Sequence, residues 1–252
     1  METNKYLNKQ TYFYNLPEEQ IAQTPAEPRD SSKLLVYNRK TDNLEHKHFY
    51  DIIDYLQEGD VLVLNNSRVL PARLIGFKEI TNAKIEVLLQ KRKDLTNWSV
   101  VCKPCKRLKV GTKVVFNDEL SCEIKQIGEY GECQIEFIFD GVFEDILSKV
   151  GSMPLPHYIR QKLENKERYQ TVYSKQEGSS AAPTAGLHWT KELLEKVKQK
   201  GVTVLEVMLH VGLGTFRPVK EDNILNHKMH SEYYVITQEV ADYINQAKKQ
   251  GQ

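Results

Sequence analysis

Two kinds of hydrophobic periodicity divide this chain. In its first and last parts, short apolar runs are separated by polar turns or by stretches of helical period. Val61–Leu64 is uniformly apolar, as expected of a strand buried on both faces, and residues 202–210 form a second predicted strand. Residues 191–200 repeat apolar side chains on one helical face, with Thr190 as a cap before them and Gly201 after them. This succession of loop, helix and strand predicts α/β structure.

The middle part of the chain, from about Ala72 to Asp140, has a period of two. Its alternation predicts short strands near the spacing of about 8–12 residues that is typical of β-sandwiches and β-barrels. They are Lys84–Leu89, Trp98–Val101, Lys113–Phe116, Ser121–Ile124 and Gln134–Phe139. We therefore predict an α/β main domain with an inserted small antiparallel β-barrel. The main domain takes residues 1–72 and 150–252, and the barrel takes residues 73–149.

Further elements are predicted on both sides of the barrel. They are a strand at Lys33–Tyr37, a helix around Tyr50–Gln57, a helix at Gly141–Val150, a strand at Tyr233–Ile236 and a helix at Gln238–Gln250. An α/β pattern would next supply another strand. We therefore expect the natural domain to continue beyond Gln252.

Two glycine-bearing loops carry the candidate chemistry. Residues 178–190 are a run of small residues around His188, and small side chains let the backbone come close to a ligand. The second loop, residues 211–218, begins at the carboxyl end of a predicted strand. Ligands of open α/β sheets bind at that edge. We therefore expect His188, His210 and Arg217 to meet in one crevice.

Composition and charge fit a folded chain in the cytoplasm. Of 252 residues, 40% are hydrophobic and 27% are charged, and the net charge is +1. No apolar run approaches the roughly 20 residues that cross a bilayer, and the N-terminus lacks the pattern of a signal peptide. We expect a cytoplasmic protein that makes no membrane contact.

Local basic stretches leave room for a nucleic-acid partner. A net charge of +1 argues against wholesale coating by nucleic acid. Residues 103–113 nevertheless contain several lysines and an arginine. In residues 160–175, lysines and arginines are interspersed with tyrosines. Each stretch suits either a nucleic-acid contact or a solvated face of an ordinary strand or helix, and the sequence leaves both readings open.

The four cysteines raise the question of a metal site. Cys102 and Cys105 have a Cys-x-x-Cys spacing, and Cys122 follows after sixteen residues. Cys122 and Cys133, however, are separated by ten residues, where a zinc ribbon has about two. Reduced structural thiols are therefore expected, with a zinc-stabilised module as the alternative. A disulfide framework is not expected without a secretion signal.

Longer motifs extend over nearly the entire chain. They are Tyr14–Glu18, Ile21–Pro25, Arg29–Ser31, Asp60–Arg73, Met153–Pro156, Glu167–Tyr173, Ala181–His188, His210–Val219 and His227–Glu232. In these motifs the chain resembles the S-adenosylmethionine:tRNA ribosyltransferase-isomerase family of queuosine biosynthesis. Runs of this length are far more specific than a lone glycine motif.

The resemblance implies an α/β domain with an inserted β-barrel and an unusual reaction. The ribosyl part of S-adenosylmethionine moves to a 7-aminomethyl-7-deazaguanine at the wobble position of tRNA, giving epoxyqueuosine, adenine and methionine. S-adenosylmethionine is then a consumed cosubstrate, and no separate cofactor is expected. The partners are S-adenosylmethionine and that tRNA, and the enzyme is expected to be a monomer.

Departures from the family pattern motivate a competing interpretation. The family has Leu-Asn-Asp-Thr-Arg where this chain has Leu64–Arg68, so Asn66 stands in place of a carboxylate. Relatives also continue past this terminus with loops that this sequence lacks. The alternative is therefore a truncated, catalytically inactive relative that retains only tRNA or ligand binding.

The implied chemistry selects candidate residues. A sulfonium acidifies the protons of its neighbouring carbons, so a ribose 5′ proton needs a base, and histidine is the natural one. The candidates for proton transfer are His188, His210, His227 and His230. Those for substrate binding are Asn65, Arg68, Thr184, Gly186, Gly212, Gly214 and Arg217. Those for tRNA binding are Lys106, Arg107, Arg168, Tyr169 and Tyr173.

Several of these residues also suit a purely structural role. His188, at a helix start, suits a hydrogen bond within a loop. His227 and His230 have the spacing of half a metal site, but no third ligand stands at an obvious spacing, so no metal is predicted. Glu206 lies among apolar residues of a predicted strand, and the sequence does not decide between a buried role and a solvated face.

Overall fold

The structure, a computed structural model, describes residues 5–216 and 218–251. Its strands are β1 (Lys33–Asn38), β2 (Asn43–His48), β3 (Val61–Asn65), β4 (Ser67–Val69), β5 (Arg73–Lys78), β6 (Lys84–Arg92), β7 (Asn97–Lys103), β8 (Lys113–Val115), β9 (Leu120–Ile127), β10 (Glu132–Phe139), β11 (Gln176–Ser179), β12 (Thr203–His210) and β13 (Tyr233–Val235). Its α-helices are α1 (Phe143–Val150), α2 (Lys191–Gln199) and α3 (Gln238–Lys249). Short 3-10 turns lie between these elements.

The chain divides into two compact units. The barrel unit consists of Val69–Leu155 and Glu177–Ala181. The discontinuous unit takes the described residues up to Arg68, then Pro156–Gln176, and then the described residues from Ala182 onwards.

The barrel unit confirms the predicted inserted antiparallel β-barrel. Its strands close in the order β10–β7–β6–β5–β8–β9, and every neighbouring pair runs antiparallel. The alternation of the sequence sets the burial: along β6 and β7, every second side chain points into the core. Helix α1 adds Phe143, Ile146 and Leu147 to the same core.

The discontinuous unit contains a hairpin and a mixed sheet. Strands β1 and β2 form the antiparallel hairpin. The sheet has the order β13–β12–β3, in which β12 runs parallel to β3 and antiparallel to β13. The predicted strands at Val61–Leu64 and at residues 202–210 are therefore direct neighbours, and their carboxyl ends lie on the same side.

Helix α2 starts and ends where its sequence requires. The Thr190 hydroxyl accepts a hydrogen bond of 3.1 Å from the Leu193 N–H, and Gly201, just beyond the helix, has a φ of +88°. Its apolar face, Leu193, Leu194 and Val197, packs in a core that also holds Phe49, Leu64, Trp189 and Val202. The predicted helix, its cap and the following strand are confirmed.

One local prediction is corrected, and one strand was not predicted. The helix expected around Tyr50–Gln57 is a 3-10 helix at Phe49–Tyr55. The strand predicted at Lys33–Tyr37 is present as β1, but its hairpin partner β2 was not foreseen, because Asn43–His48 is mostly polar and exposed. The β-propensity of a sequence does not identify a strand that is stabilised mainly by pairing with its neighbour.

The cysteines lie in and around the barrel core as free thiols. Cys102, Cys122 and Cys133 are buried and Cys105 is half-buried. Burial raises the pKa of Cys122 to about 12. Within residues 5–216 and 218–251, no group of three or more His, Cys, Asp or Glu residues is arranged to hold a metal ion. No helix in that part of the chain has the length and apolar character to cross a membrane.

Candidate functional site

The glycine-rich loop around His188 is held by an N-terminal segment far away in sequence. The guanidinium of Arg29 donates to the carbonyl oxygens of Gln170 (2.7 Å), Leu187 (3.3 Å) and Glu167 (2.9 Å). Burial lowers the pKa of Arg29, and the nearby positive charge of Arg168 acts in the same direction. Arg29 therefore joins residues 167–170 to the loop that carries His188.

The residues next to Arg29 fix both ends of this arrangement. The Thr190 hydroxyl lies 3.0 Å from Asp30 Oδ2 and donates to it, while it also caps helix α2. Ser32 Oγ lies 2.8 Å from His188 Nδ1. Segment 29–32 thus contacts the loop at Leu187, His188 and Thr190.

His188 lies in a partly buried, aromatic environment. Its ring centroid is 5.3 Å from that of Phe49. Burial lowers the pKa of His188 below its ordinary value of 6.5, and the charge of Arg168 adds to this effect. The imidazole is therefore neutral near pH 7, which is the form that accepts a proton.

Gly186 is required by the packing of this loop. An ideal Cβ at position 186 would lie 2.1 Å from the hydroxyl oxygen of Tyr173 and 3.0 Å from the methyl carbon of Thr171. Gly186 itself is buried, whereas Thr184, two residues earlier, is exposed. Of these two predicted substrate-binding residues, Gly186 has a clear packing role and Thr184 offers its side chain to solvent.

Gly186→Ala is expected to lower the free energy of unfolding by about 1–3 kcal/mol, because the added methyl group overpacks the site against Tyr173. Urea denaturation measures this loss. Gly128→Ala is the matched control, since its φ is −104° and its nearest neighbour would lie at 3.4 Å. An equal effect of the two substitutions would refute the packing argument.

Polar groups at the end of β3 are used to join strands. Asn65 donates to the Leu209 carbonyl (2.9 Å) and accepts from the backbone N–H groups of Leu209 and Ser67 (3.0 Å each). The neighbouring Asn66 donates to Glu206 Oε2 at 3.0 Å. Asn65 thus fixes β3 against β12, and its side chain is occupied by backbone groups.

The role of Glu206 is settled by its partners. Both carboxylate oxygens lie within 2.8 Å of the Lys175 ammonium. Burial alone would raise the pKa of Glu206, but the hydrogen bonds from Lys175 and Asn66 outweigh it, and the pKa is lowered. Glu206 is an ion-paired carboxylate on a half-buried strand.

Arg68, predicted to bind an anionic part of the substrate, is paired within the protein. Its guanidinium donates to Ser174 Oγ at 3.1 Å and forms a salt bridge with Glu167. A substrate carboxylate or phosphate would have to compete with Glu167 for this group. Arg217, the other predicted anion-binding residue, lies outside the described residues.

A second group of predicted residues gathers at the end of β12. The ring of His210 stacks on Tyr233 with a centroid distance of 6.0 Å, and burial lowers its pKa below 6.5. Glu232 accepts from the Gly212 N–H, and His230 lies within hydrogen-bond distance of the same carboxylate. The structure therefore brings His210, Gly212, Gly214 and His230 together through segment 230–233.

For His227 the structure gives a backbone hydrogen bond and no side-chain partner among the described residues. It is half-buried and follows the 3-10 helix at Ile224–Asn226, where its backbone N–H donates to the Ile224 carbonyl at 3.2 Å. His230, in contrast, faces Glu232 at 2.9 Å. Of the two histidines of the HxxH pair, His230 therefore has a carboxylate neighbour, Glu232, which was given no role from the sequence.

The predicted tRNA contacts in residues 160–175 are corrected. Tyr169 is only 7% exposed and Tyr173 packs against the core of the discontinuous unit. Burial raises the pKa of each phenol to about 12. The Arg168 side chain is 13% exposed, pairs with Glu27 and donates to the Ala26 carbonyl. Tyr169 and Arg168 are therefore largely enclosed by the protein, and Tyr173 is half-buried, so none of the three presents a fully exposed side chain to tRNA.

The basic stretch of the barrel unit, in contrast, lies on the surface. Lys106 and Arg107 are exposed on the 3-10 helix that follows β7. Lys103, Lys109 and Lys113 are exposed beside them in sequence. We call these five residues the basic barrel surface.

Sequence reasoning missed the groups that orient the candidate histidines. Arg29, Asp30 and Ser32 carried no expected role, although Arg29–Ser31 is one of the motifs of the resemblance. Glu232, which ends the His227–Glu232 motif, was likewise unassigned. For Arg29, Asp30 and Glu232, their positions within these motifs were the available signal, whereas Ser32 lies just outside its motif.

Comparison with known proteins gives a consistent result over nearly the whole chain. A sequence profile described as "Queuosine biosynthesis protein" matches residues 9–252. The S-adenosylmethionine:tRNA ribosyltransferase-isomerase of Clostridioides difficile (strain 630) is 58% identical over 241 residues, which are 95% of this chain and 71% of that protein. The protein of the same name from Thermoanaerobacter sp. (strain X514) is 53% identical over 246 residues, 97% of this chain and 72% of that protein.

A solved structure is also similar. The crystal structure of S-adenosylmethionine tRNA ribosyltransferase from Thermotoga maritima is 33% identical, and the match covers 94% of this chain with a TM-score of 0.40. This chain spans 65% of the length of that one.

Proposed function

The chain belongs to the queuosine biosynthesis protein family, and we propose that it is an S-adenosylmethionine:tRNA ribosyltransferase-isomerase. It transfers the ribosyl moiety of S-adenosylmethionine to 7-aminomethyl-7-deazaguanine at the wobble position of tRNA and isomerises it to epoxyqueuosine. The observation that carries the proposal is 58% identity over 95% of the chain to a protein of that name. The alternative, an inactive relative, is supported by no comparable observation.

The reaction consumes S-adenosylmethionine and needs no resident cofactor. A base removes a 5′ proton of the ribose, adenine leaves with a proton, and methionine leaves with the sulfur. The amine of the deazaguanine bonds to the ribosyl carbon and loses a proton. The protein must supply a neutral base, a proton donor for adenine and a fixed geometry, and positioning alone can contribute several kcal/mol.

Two groups of residues support this chemistry. His188, kept neutral by burial, is our candidate base, with Ser32 at its Nδ1. His210, Gly212, Gly214 and His230 form the second group, at the carboxyl end of β12, where ligands of α/β sheets bind. In this proposal the discontinuous unit is an α/β domain, and residues 73–149 form an inserted barrel domain.

The basic barrel surface is our candidate contact for the tRNA backbone. Lys106→Ala with Arg107→Ala should weaken tRNA binding and lower the slope of log K against log[salt] by about 2, close to one for each lost phosphate contact. Lys93→Ala, in the turn between β6 and β7, is the matched exposed control. Binding titrations from low to high salt measure the slope. An unchanged slope in the double variant would exclude this surface.

The proposed function is tested by product analysis. The protein is incubated with S-adenosylmethionine and tRNA carrying 7-aminomethyl-7-deazaguanine, and the tRNA is digested to nucleosides for mass spectrometry. The expected result is loss of the substrate nucleoside and appearance of epoxyqueuosine. Binding of this tRNA by folded protein without product would instead support the inactive relative.

A further inference from the structure

One carboxylate connects the end of β12, the loop after it and a histidine. Glu232 directly precedes β13, and the pairing of His210 with Tyr233 brings it next to the start of that loop. Glu232 Oε1 accepts a hydrogen bond of 2.9 Å from the Gly212 N–H. The same oxygen lies 2.9 Å from His230 Nε2.

The burial of Glu232 makes these two contacts important. Its side chain is 19% exposed, and that of His230 is 34% exposed. Removing a carboxylate from water costs free energy unless other donors replace the lost water molecules. The Gly212 N–H and the His230 imidazole are such donors, so the charge and the ring hold each other in place.

Gly214 confines the ring from a second direction. An ideal Cβ at position 214 would lie 2.3, 2.4 and 2.6 Å from Cγ, Nδ1 and Cδ2 of His230. A residue with a Cβ at position 214 would therefore clash with the imidazole of His230, and only glycine leaves room for the ring. Because Gly214 has no side chain, it also places no Cβ over Nδ1.

We propose that Glu232 is the positioning residue of His230, and that it holds the neutral imidazole as the Nε2–H tautomer. A carboxylate acceptor at Nε2 requires hydrogen there, and a neutral imidazole carries one ring proton. Nδ1 is then the nitrogen that takes up the proton that the deazaguanine amine loses when it bonds to the ribosyl carbon. The imidazolium that forms is stabilised by the adjacent Glu232 carboxylate, whose Oε1 lies 2.9 Å from Nε2. The catalytic part of this inference rests on the proposed function.

A double-mutant cycle tests whether Glu232 acts through His230. Glu232→Ala should lower kcat for ribosyl transfer by about 10–100-fold, with KM for S-adenosylmethionine little changed, because general acid–base catalysis is worth about 10²–10⁴-fold. In a His230→Gln background, Glu232→Ala should cause no further loss. An equal loss in both backgrounds would overturn the proposal. Glu221→Gln, an exposed residue of the same stretch, is the matched control.

A spectroscopic readout separates this inference from the proposed function. In protein with ¹⁵N-labelled histidine, the His230 signals, assigned by their absence in His230→Gln, should be those of the Nε2–H tautomer. Glu232→Ala should give a mixture of tautomers, while Glu232→Gln, which keeps an oxygen acceptor, should retain the wild-type form. A mixture in the wild type would overturn the positioning role. The expected tautomer without turnover would refute the proposed function alone.

Discussion

Replacing His188 by Gln should lower kcat for ribosyl transfer by about 10²–10⁴-fold, the usual worth of a general base. The side chain combines a neutral imidazole, a fixed Nδ1 at 2.8 Å from Ser32 and a loop whose backbone is tied to Arg29. Gln keeps a polar side chain of similar length, so the fold should persist. His46→Gln, on the exposed strand β2, is the matched control and should retain full activity.

The pH profile gives the same prediction a second test. Because burial lowers the pKa of His188 below 6.5, the protonated, inactive form accumulates only at lower pH. In a plot of kcat/KM against pH, the decrease on the acid side should therefore have its midpoint below pH 6.5. The residual activity of His188→Gln should not show this decrease. A His188→Gln variant with wild-type kcat and an unaltered acid limb would remove His188 from the mechanism.

Arg29→Ala should lower the free energy of unfolding by about 2–4 kcal/mol, the largest stability effect that we expect from a polar residue. The substitution removes donors from the carbonyl oxygens of Gln170, Leu187 and Glu167. A hydrogen bond to a charged group contributes about 1.5–3 kcal/mol, and the losses at one guanidinium are not additive. Arg29→Lys should recover part of the loss, because an ammonium cannot reproduce the planar fork.

The control for Arg29→Ala is the same substitution at an arginine that is exposed and has an exposed partner. Arg160 pairs with Glu18 at 2.8 Å, and the two side chains are 71% and 76% exposed. Arg160→Ala should change the free energy of unfolding far less than Arg29→Ala does, because water screens an ion pair between exposed side chains. Chemical denaturation of both variants measures the difference. Equal effects would show that the carbonyl contacts of Arg29 do not hold the His188 loop.

The sequence predicted the parts of the fold that depend on local periodicity. The barrel was predictable because alternate side chains of its strands face one core, as Val87 and Leu89 do on β6. Helix α2 was predictable because its apolar face, its Thr190 cap and Gly201 all agree. The 3-10 helix at Phe49–Tyr55 was not, since its pattern over so few residues also suits an α-helix.

The candidate histidines were chosen from the sequence, but the side chains that contact them could not be, and His188 and His210 have different neighbours in the structure. His210 ends β12, as predicted, and His188 ends the 3-10 helix Thr184–His188 just before α2. Which charges pair was not readable from the sequence, because partners such as Glu27 and Arg168 are 141 residues apart. Tyr169 was predicted to contact tRNA because cations lie near it in sequence, whereas the structure buries it.

If this chain breaks down S-adenosylmethionine in the course of modifying tRNA, its turnover releases adenine, and adenine is the product to measure first. Adenine is quantified by chromatography after incubation with S-adenosylmethionine alone, with unmodified tRNA, and with tRNA that carries 7-aminomethyl-7-deazaguanine. We expect adenine release only with the last of these, matched by an equal amount of methionine. No release by folded protein that binds this tRNA, or release that does not depend on the modified base, would contradict the proposed function.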